Sequence, residues 1–136
     1  MELEELEKSS NARFNDTFDY EPIDPVTNEP KGFTVTLKSA KQDDLRRFVE
    51  QRTKTVAIEQ FKAQQVGKLY FPSLKDVEKA DIDYACLATV QFNGLTKGGK
   101  PYGVTADEIR DIYSNFQWLV KQVFHETLND ANFLQA

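Results

Sequence analysis

The sequence predicts an α+β fold, a mostly α-helical single domain in which an N-terminal β-hairpin packs against a helical bundle. The chain has 136 residues, of which 40% are hydrophobic, and a chain of this size supports one core. Apolar residues alternate with polar ones up to about residue 38, as in half-buried strands, and then recur mostly at helical spacing. We therefore expect one domain over residues 13–136, preceded by an acidic, flexible segment over residues 1–12.

The hairpin is predicted over about residues 13–38. Its two strands carry apolar residues at mostly even spacing: Phe14, Phe18, Tyr20 and Ile23 in the first, then Phe33, Val35 and Leu37 in the second. Between them, the segment from Asp24 to Gly32 contains two prolines, an asparagine and a glycine, which favour turns. A turn flanked by two alternating runs indicates a β-hairpin.

Helices are predicted over about residues 40–66, 81–93, 105–114 and 115–134. Three of their starts match a capping box, in which a Ser or Thr is followed three residues later by Glu or Gln. These pairs are Ser39 with Gln42, Thr105 with Glu108, and Ser114 with Gln117. Asn93 and Gly94 are expected to end the second helix, and the glycine-rich residues 95–103 are expected to form an irregular loop.

Four large apolar residues do not fit the predicted buried faces. Ile58 and Phe61 fall away from the apolar stripe of the first helix, so they favour either a bend or a second apolar face. In the last helix, a rotation of about 100° per residue puts Trp118 opposite the apolar face, with Phe133 to one flank. Exposed aromatic groups mark binding surfaces, so these four are the predicted partner-binding residues.

Composition limits the classes of function. The net charge of −5 opposes the attraction to phosphate on which most nucleic-acid binding depends. Cys86 is the only cysteine, which excludes an internal disulfide and a cysteine cluster for zinc. The acidic amino terminus differs from a secretory signal, and the apolar runs are far shorter than the roughly twenty residues of a membrane-spanning helix. We expect a cytosolic protein that binds neither nucleic acid nor membrane.

No chemical motif in the chain is complete. Gly94 to Lys100 matches the G-x-x-x-x-G-K part of a phosphate-binding loop, but Pro101 stands where Ser or Thr is needed, so a flexible turn is favoured over a nucleotide site. His125, the only histidine, is expected at the surface, and Cys86 is expected to be a buried, unreactive thiol. The carboxylates Asp107, Glu108 and Asp111 are accounted for by a helix start. The sequence therefore predicts no catalytic, cofactor-binding or metal-binding residues, and a protein that is not an enzyme.

The order of the segments resembles that of a known family. Asp24-Pro-Val-Thr-Asn-Glu-Pro-Lys-Gly32-Phe-Thr-Val-Thr-Leu-Lys-Ser39 before a charged helix resembles the front half of tail assembly chaperones from long-tailed bacteriophages. The back half is similar in its Leu87-Ala-Thr-Val-Gln-Phe-Asn-Gly94 run, the turn around Lys100-Pro101, the capped helix at Thr105, Trp118-Leu119 and the ending Asn132-Phe133-Leu134. Two residues depart from the family pattern: Phe92 replaces a frequent Trp, and Asn28 replaces a usual Gly, and both keep the physical role.

The resemblance implies a non-catalytic protein of the host cell cytoplasm that is absent from the mature virion. Such chaperones bind the tape measure protein, shield its apolar helices and recruit tail tube subunits, and self-association is also compatible with this role. An alternative from another class is a structural tail-completion or connector subunit that stays in the particle. A small nucleotide-binding enzyme and an acidic DNA mimic are weaker alternatives, because the loop is incomplete and the carboxylates form no dense stripe.

Overall fold

Three antiparallel strands form the main sheet in the order β1-β2-β3, which places β2 at the centre. We describe the protein from a computed structural model, in which residues 2–5 and 15–134 are described. The strands are β1 (Thr17–Tyr20), β2 (Thr34–Lys38) and β3 (Thr89–Asn93), and a second sheet consists of β4 (Thr96–Lys97) and β5 (Lys100–Pro101). With the helices below, this confirms the predicted α+β class.

Four α-helices follow or separate the strands within the described residues 15–134. They are α1 (Asp43–Gln65), α2 (Leu74–Ala88), α3 (Ala106–Asn115) and α4 (Gln117–Thr127), followed by a 3-10 helix (Asp130–Asn132). Residues 3–5 form a helical turn. The rest of the predicted 1–12 segment, apart from residue 2, lies outside the described residues, as does Phe14 of the predicted first strand. Within the described residues, no helix has both the length and the apolarity needed to cross a membrane.

The predicted N-terminal hairpin is present. β1 pairs with β2 in antiparallel register, with Phe18 opposite Leu37. Asn28 has a φ of 63° in the connection, the left-handed conformation that asparagine tolerates better than most residues. Gln122 of α4 holds the hairpin from outside, since its side-chain oxygen accepts hydrogen bonds from the Tyr20 hydroxyl (2.8 Å) and the Ile23 amide (3.1 Å).

The main core lies where α2, α3 and α4 meet the sheet. Its buried members come from both layers: Val35, Leu37, Ala85, Phe92, Ile109, Ile112, Tyr113, Leu119, Val120 and Val123. A smaller cluster of Leu45, Tyr84 and Ala88 joins α1 to α2. Leu45 is the one buried residue of α1, so the core holds this helix mainly at its N-terminal end.

The helix predicted over residues 81–93 was wrong at both ends. α2 begins at Leu74, because the Ser73 hydroxyl caps it by accepting a hydrogen bond from the Asp76 amide (3.1 Å). It ends at Ala88, and Thr89–Asn93 forms strand β3 instead, in antiparallel register with β2. The central strand β2 therefore gains its second partner from a segment whose small and apolar residues also suited a helix.

Two of the three predicted capping boxes were wrong. Ser39 accepts a hydrogen bond from the Lys41 amide, and α1 begins only after Gln42, whose side chain bonds the Asp16 carbonyl. α4 begins after Phe116 without a side-chain cap. The remaining predicted box, at Thr105 and Glu108, is confirmed for its hydroxyl, because the Thr105 hydroxyl accepts a hydrogen bond from the Glu108 amide.

The helix predicted to run to Leu134 ends at Thr127. Beyond it, the Asn129 side chain accepts a hydrogen bond from the Ala131 amide and opens the 3-10 helix. The Asn132 side chain then donates to the Glu126 carbonyl oxygen (3.0 Å) and fixes the reversal of the chain. The chain beyond Thr127 therefore does not follow the geometry of a continued α-helix.

Candidate partner-binding surface

The helices α1 and α2 form an antiparallel pair whose far end extends away from the sheet. Near the core, Phe48 of α1 packs against Tyr84 of α2, with ring centroids 6.1 Å apart. One step outward, the Arg52 guanidinium pairs with the Asp81 carboxylate at 3.1 Å. Because α2 has 15 residues and runs directly into β3, its first turn lies roughly 20 Å from the sheet at 1.5 Å per residue.

That far end carries an unusual density of exposed apolar side chains. We define the tip as the end of α1, the connection to α2 and the first residue of α2. Its large exposed apolar residues are Ile58, Phe61, Val66, Leu69, Phe71 and Leu74. Leu69 is 80% exposed and Phe71 is 78% exposed, whereas Phe116 and Phe124 of the α3–α4 region are 48% and 40% exposed. Grouped exposure of this kind is the mark of an interaction surface.

The backbone of the tip is ordered by local hydrogen bonds. The Gly67 and Lys68 amides donate to the carbonyl oxygens of Gln64 and Ala63, which closes the end of α1. Gly67 has a φ of 70°, a conformation that glycine adopts without strain. Pro72 and the Ser73 cap then start α2, so the exposed side chains of the connection lie between two defined helix ends.

The four predicted partner-binding residues do not form one surface. Ile58 and Phe61 are exposed, at 54% and 62%, on the side of α1 opposite Leu45. Trp118 is half-buried against the main core, and the Lys31 ammonium lies 6.0 Å from the centre of its ring. Phe133 is fully buried.

The prediction that Phe133 belongs to an exposed patch was wrong. Its ring packs edge-on against Phe18 of β1, with centroids 4.9 Å apart. The helical rotation used to place Phe133 does not apply beyond Thr127, where α4 ends and the 3-10 helix turns the chain towards β1. The Phe133 carbonyl oxygen also accepts a hydrogen bond from the Asn15 amide, which ties this segment to the residue before the hairpin.

Sequence reasoning missed the apolar residues of the connection. These residues, which follow the last turn of α1, lie at or beyond the end of the helix predicted over about residues 40–66: Val66, Leu69, Phe71 and Leu74. The signal was present, because Leu69, Phe71 and Leu74 put three large apolar residues within six positions of a predicted loop, more than a solvated turn needs. An analysis of helical periodicity cannot detect such residues, because a connection has no fixed rotation per residue.

The segment from Gly94 to Lys100 forms a tight hairpin. Lys97 pairs with Lys100 across the β4–β5 turn, and Gly98 and Gly99 have φ values of 60° and 79°, as a two-residue hairpin turn requires. The irregular loop predicted for residues 95–103 was therefore wrong, because paired glycines favour this regular turn. The segment does not lead into a helix that could receive a phosphate.

The groups with catalytic or metal-binding potential, Cys86 among them, are not arranged for chemistry in the described residues. Cys86 is half-buried and borders a hollow of about 270 Å³ that Arg110 also lines. Burial raises the pKa of the Cys86 thiol, which disfavours the reactive thiolate. Arg110 is paired with the Asp83 carboxylate at 2.8 Å. Within residues 2–5 and 15–134, no group of three or more His, Cys, Asp or Glu side chains is arranged to hold a metal ion.

Comparison of the chain with protein-family models, with curated proteins and with solved structures gave no match.

Proposed function

We propose that this protein is a non-catalytic phage tail assembly chaperone, which binds the tape measure protein and recruits tail tube subunits in the host cell cytoplasm. The observation that carries the proposal is the tip, where six large apolar side chains are exposed at the far end of an ordered helical pair. A protein that shields the apolar helices of another chain needs apolar surface that its own core does not use. The resemblance in segment order supplies the identity of the partners.

The main core and the tip are formed by different parts of the fold, which supports this role. The main core is formed by the sheet and by α2, α3 and α4, while α1 contributes only Leu45 as a buried residue. The tip is consequently available for reversible contacts without loss of the core. Modest apolar patches with a charged rim are typical of transient interfaces.

Co-expression with the tape measure and tube proteins of the same genome tests the proposal. We expect the wild-type chain to co-purify with both, and a tip variant with Phe61→Ser, Leu69→Ser and Phe71→Ser to lose the tape measure protein. A matched control changes exposed apolar residues elsewhere, Val26→Ser and Val104→Ser, and should retain both partners. Failure of the wild-type chain to associate with either protein rejects the proposal.

Mass spectrometry of purified virions separates the chaperone from the connector alternative. A chaperone acts before the tail is complete, so its peptides should be missing from particles that contain the tube protein. Stoichiometric amounts of this chain in the particle would instead identify a connector subunit.

A further inference from the structure

The outward face of α1 combines apolar and basic side chains. At 100° per residue, Phe61 and the cations Arg47, Lys54 and Lys62 all lie within about 60° of Ile58 around the helix axis. All five residues are exposed. Along the axis they extend from residue 47 to residue 62, or roughly 22 Å at 1.5 Å per residue. We call these five residues the outer face.

The outer face has the opposite charge from the whole molecule. The whole of α1 has five basic and four acidic residues, a net charge of +1, and two of its carboxylates, Asp43 and Asp44, precede the outer face. Over the length of the outer face, residues 47–62 contain four basic and two acidic residues, a net charge of +2, whereas the whole chain has a net charge of −5. One of the two carboxylates, Glu59, lies 3.7 Å from the Lys62 ammonium, an exposed contact that leaves this cation 69% accessible. Three of the five basic residues of α1, Arg47, Lys54 and Lys62, therefore lie on the same side of the helix as Ile58 and Phe61.

We propose that the outer face binds an acidic amphipathic helix, in which an apolar stripe is flanked by Asp and Glu. This deepens the proposed function, on which it rests, by defining the chemistry of the partner segment. Ile58 and Phe61 supply the apolar contact, and the three cations lie where the flanking carboxylates of such a helix would fall. A basic helix would meet like charges at the same positions, which disfavours it.

The arrangement favours a protein helix over a lipid surface. A helix that lies in a membrane interface segregates its large apolar residues on one face and its Lys and Arg on the other. In α1 three of the five cations share one face with the exposed Ile58 and Phe61, as at an interface where both kinds of side chain contact the same partner. The roughly 22 Å length of the outer face corresponds to about four turns of a partner helix.

Fluorescence anisotropy with three labelled synthetic peptides of equal length tests the inference. The first carries Leu at helical spacing with Glu at the flanking positions, the second replaces each Glu by Lys, and the third scrambles the first. We expect the acidic amphipathic peptide to bind at least tenfold more tightly than the other two at about 50 mM salt, and less tightly at higher salt, which screens the charge contacts.

Charge reversal identifies the face that binds. In the full chain, Lys54→Glu with Lys62→Glu should abolish the preference for the acidic peptide and increase affinity for the basic one. The control reverses two exposed lysines far from α1 in sequence, Lys100→Glu and Lys121→Glu, and should leave the preference unchanged. Far-UV circular dichroism checks that both variants remain folded.

Equal binding of the acidic and basic peptides, or a preference that survives reversal at Lys54 and Lys62, overturns the inference. So does binding of anionic phospholipid vesicles in preference to every peptide, or self-association of the chain that the Lys54 and Lys62 reversal abolishes. The assay contains neither the tape measure protein nor the tube protein, so its outcome is distinct from that of co-expression. Association with the tape measure protein without a peptide preference would reject this inference alone.

Discussion

At the scale of single residues, Gly103 shows how closely the sheet and α3 approach each other. Its φ is +88°, and an added Cβ would lie 2.8 Å from Phe92 Cβ and 3.0 Å from Ile112 Cδ1. Both neighbours belong to the main core, and at these distances one of them must shift to admit a methyl group. We expect Gly103→Ala to reduce the free energy of unfolding by about 2–4 kcal/mol, combining backbone strain with overpacking.

Urea unfolding of a matched pair isolates the packing contribution. Gly98→Ala at the β4–β5 turn also has a positive φ, +60°, but an added Cβ meets nothing within 4 Å. That substitution should cost only about 1–2 kcal/mol of backbone strain. Equal losses in the two variants would show that the contact of Gly103 with Phe92 and Ile112 is not tight.

A buried hydrogen-bond chain gives a second prediction at this scale. The Thr89 hydroxyl donates to the Ala85 carbonyl oxygen (2.7 Å), so the Tyr113 hydroxyl, 2.6 Å away, donates to Thr89. Burial raises the pKa of Tyr113, which keeps this donor protonated. Thr89→Val leaves the Tyr113 hydroxyl buried without an acceptor and should cost about 1–3 kcal/mol.

Tyr113→Phe is the comparison variant for this series of hydrogen bonds. It removes the donor, while Thr89 keeps its bond to Ala85, so we expect a smaller loss of about 1 kcal/mol. Thermal or urea unfolding measures both variants. A larger loss for Tyr113→Phe than for Thr89→Val would contradict the assigned direction of the bonds.

At the scale of elements, the connection of the β1–β2 hairpin depends on one carboxylate. Asp24 accepts hydrogen bonds from the Lys31 ammonium (2.9 Å) and from the Val26 (2.8 Å) and Thr27 (3.2 Å) amides. The Lys31 bond, followed by the two amides, lowers the pKa of Asp24 from 3.8 to about 2. An ionised Asp24 therefore stabilises the folded hairpin.

The sign of the pH dependence follows from that shift. Because the folded-state pKa is lower than the unfolded one, the stabilisation is fully present above about pH 4 and is lost as the pH falls towards 2. The difference in unfolding free energy between wild type and Asp24→Asn should shrink over this interval. Carboxyl NMR titration gives the direct check, and a midpoint near 4 for Asp24 would contradict the prediction.

The elements also show what periodicity can and cannot predict. The hairpin was predictable because Val35 and Leu37 alternate with polar residues on a strand with one buried face. The segment Thr89–Asn93 was not, because its small and apolar residues fit a helix as well as a strand. This segment forms a strand because it pairs with β2, where Val35 lies opposite Phe92. A pairing between segments so far apart in the sequence cannot be predicted from the residues of one segment alone.

At the scale of the whole molecule, the candidate surface was predictable only in part. Ile58 and Phe61 were found because α1 is a long regular helix whose faces can be calculated. Phe133 was misplaced because the calculation was extended past the end of α4, where tertiary contacts redirect the chain. Leu69 and Phe71 were missed because no periodic rule applies to a connection. Rotation within α4 also put Trp118 opposite the apolar face, but Trp118 is half-buried against the main core, with the Lys31 ammonium 6.0 Å from the centre of its ring. The faces of a helix were therefore predicted for α1 and only in part for α4, and the surface that α1 and the connection build together was not predicted.

The last prediction concerns Phe61 and Phe133, which the sequence analysis both predicted to bind a partner. Phe133 is fully buried against Phe18, so Phe133→Ala should reduce the free energy of unfolding by about 3–5 kcal/mol. Phe61 is 62% exposed, so Phe61→Ala should change it by less than about 0.5 kcal/mol while weakening capture of the tape measure protein. Urea unfolding and co-purification of both variants measure the two effects separately. Substantial destabilisation by Phe61→Ala would mean that the tip belongs to the core, and the molecule would then lack the separation between folding and partner binding that its proposed role requires.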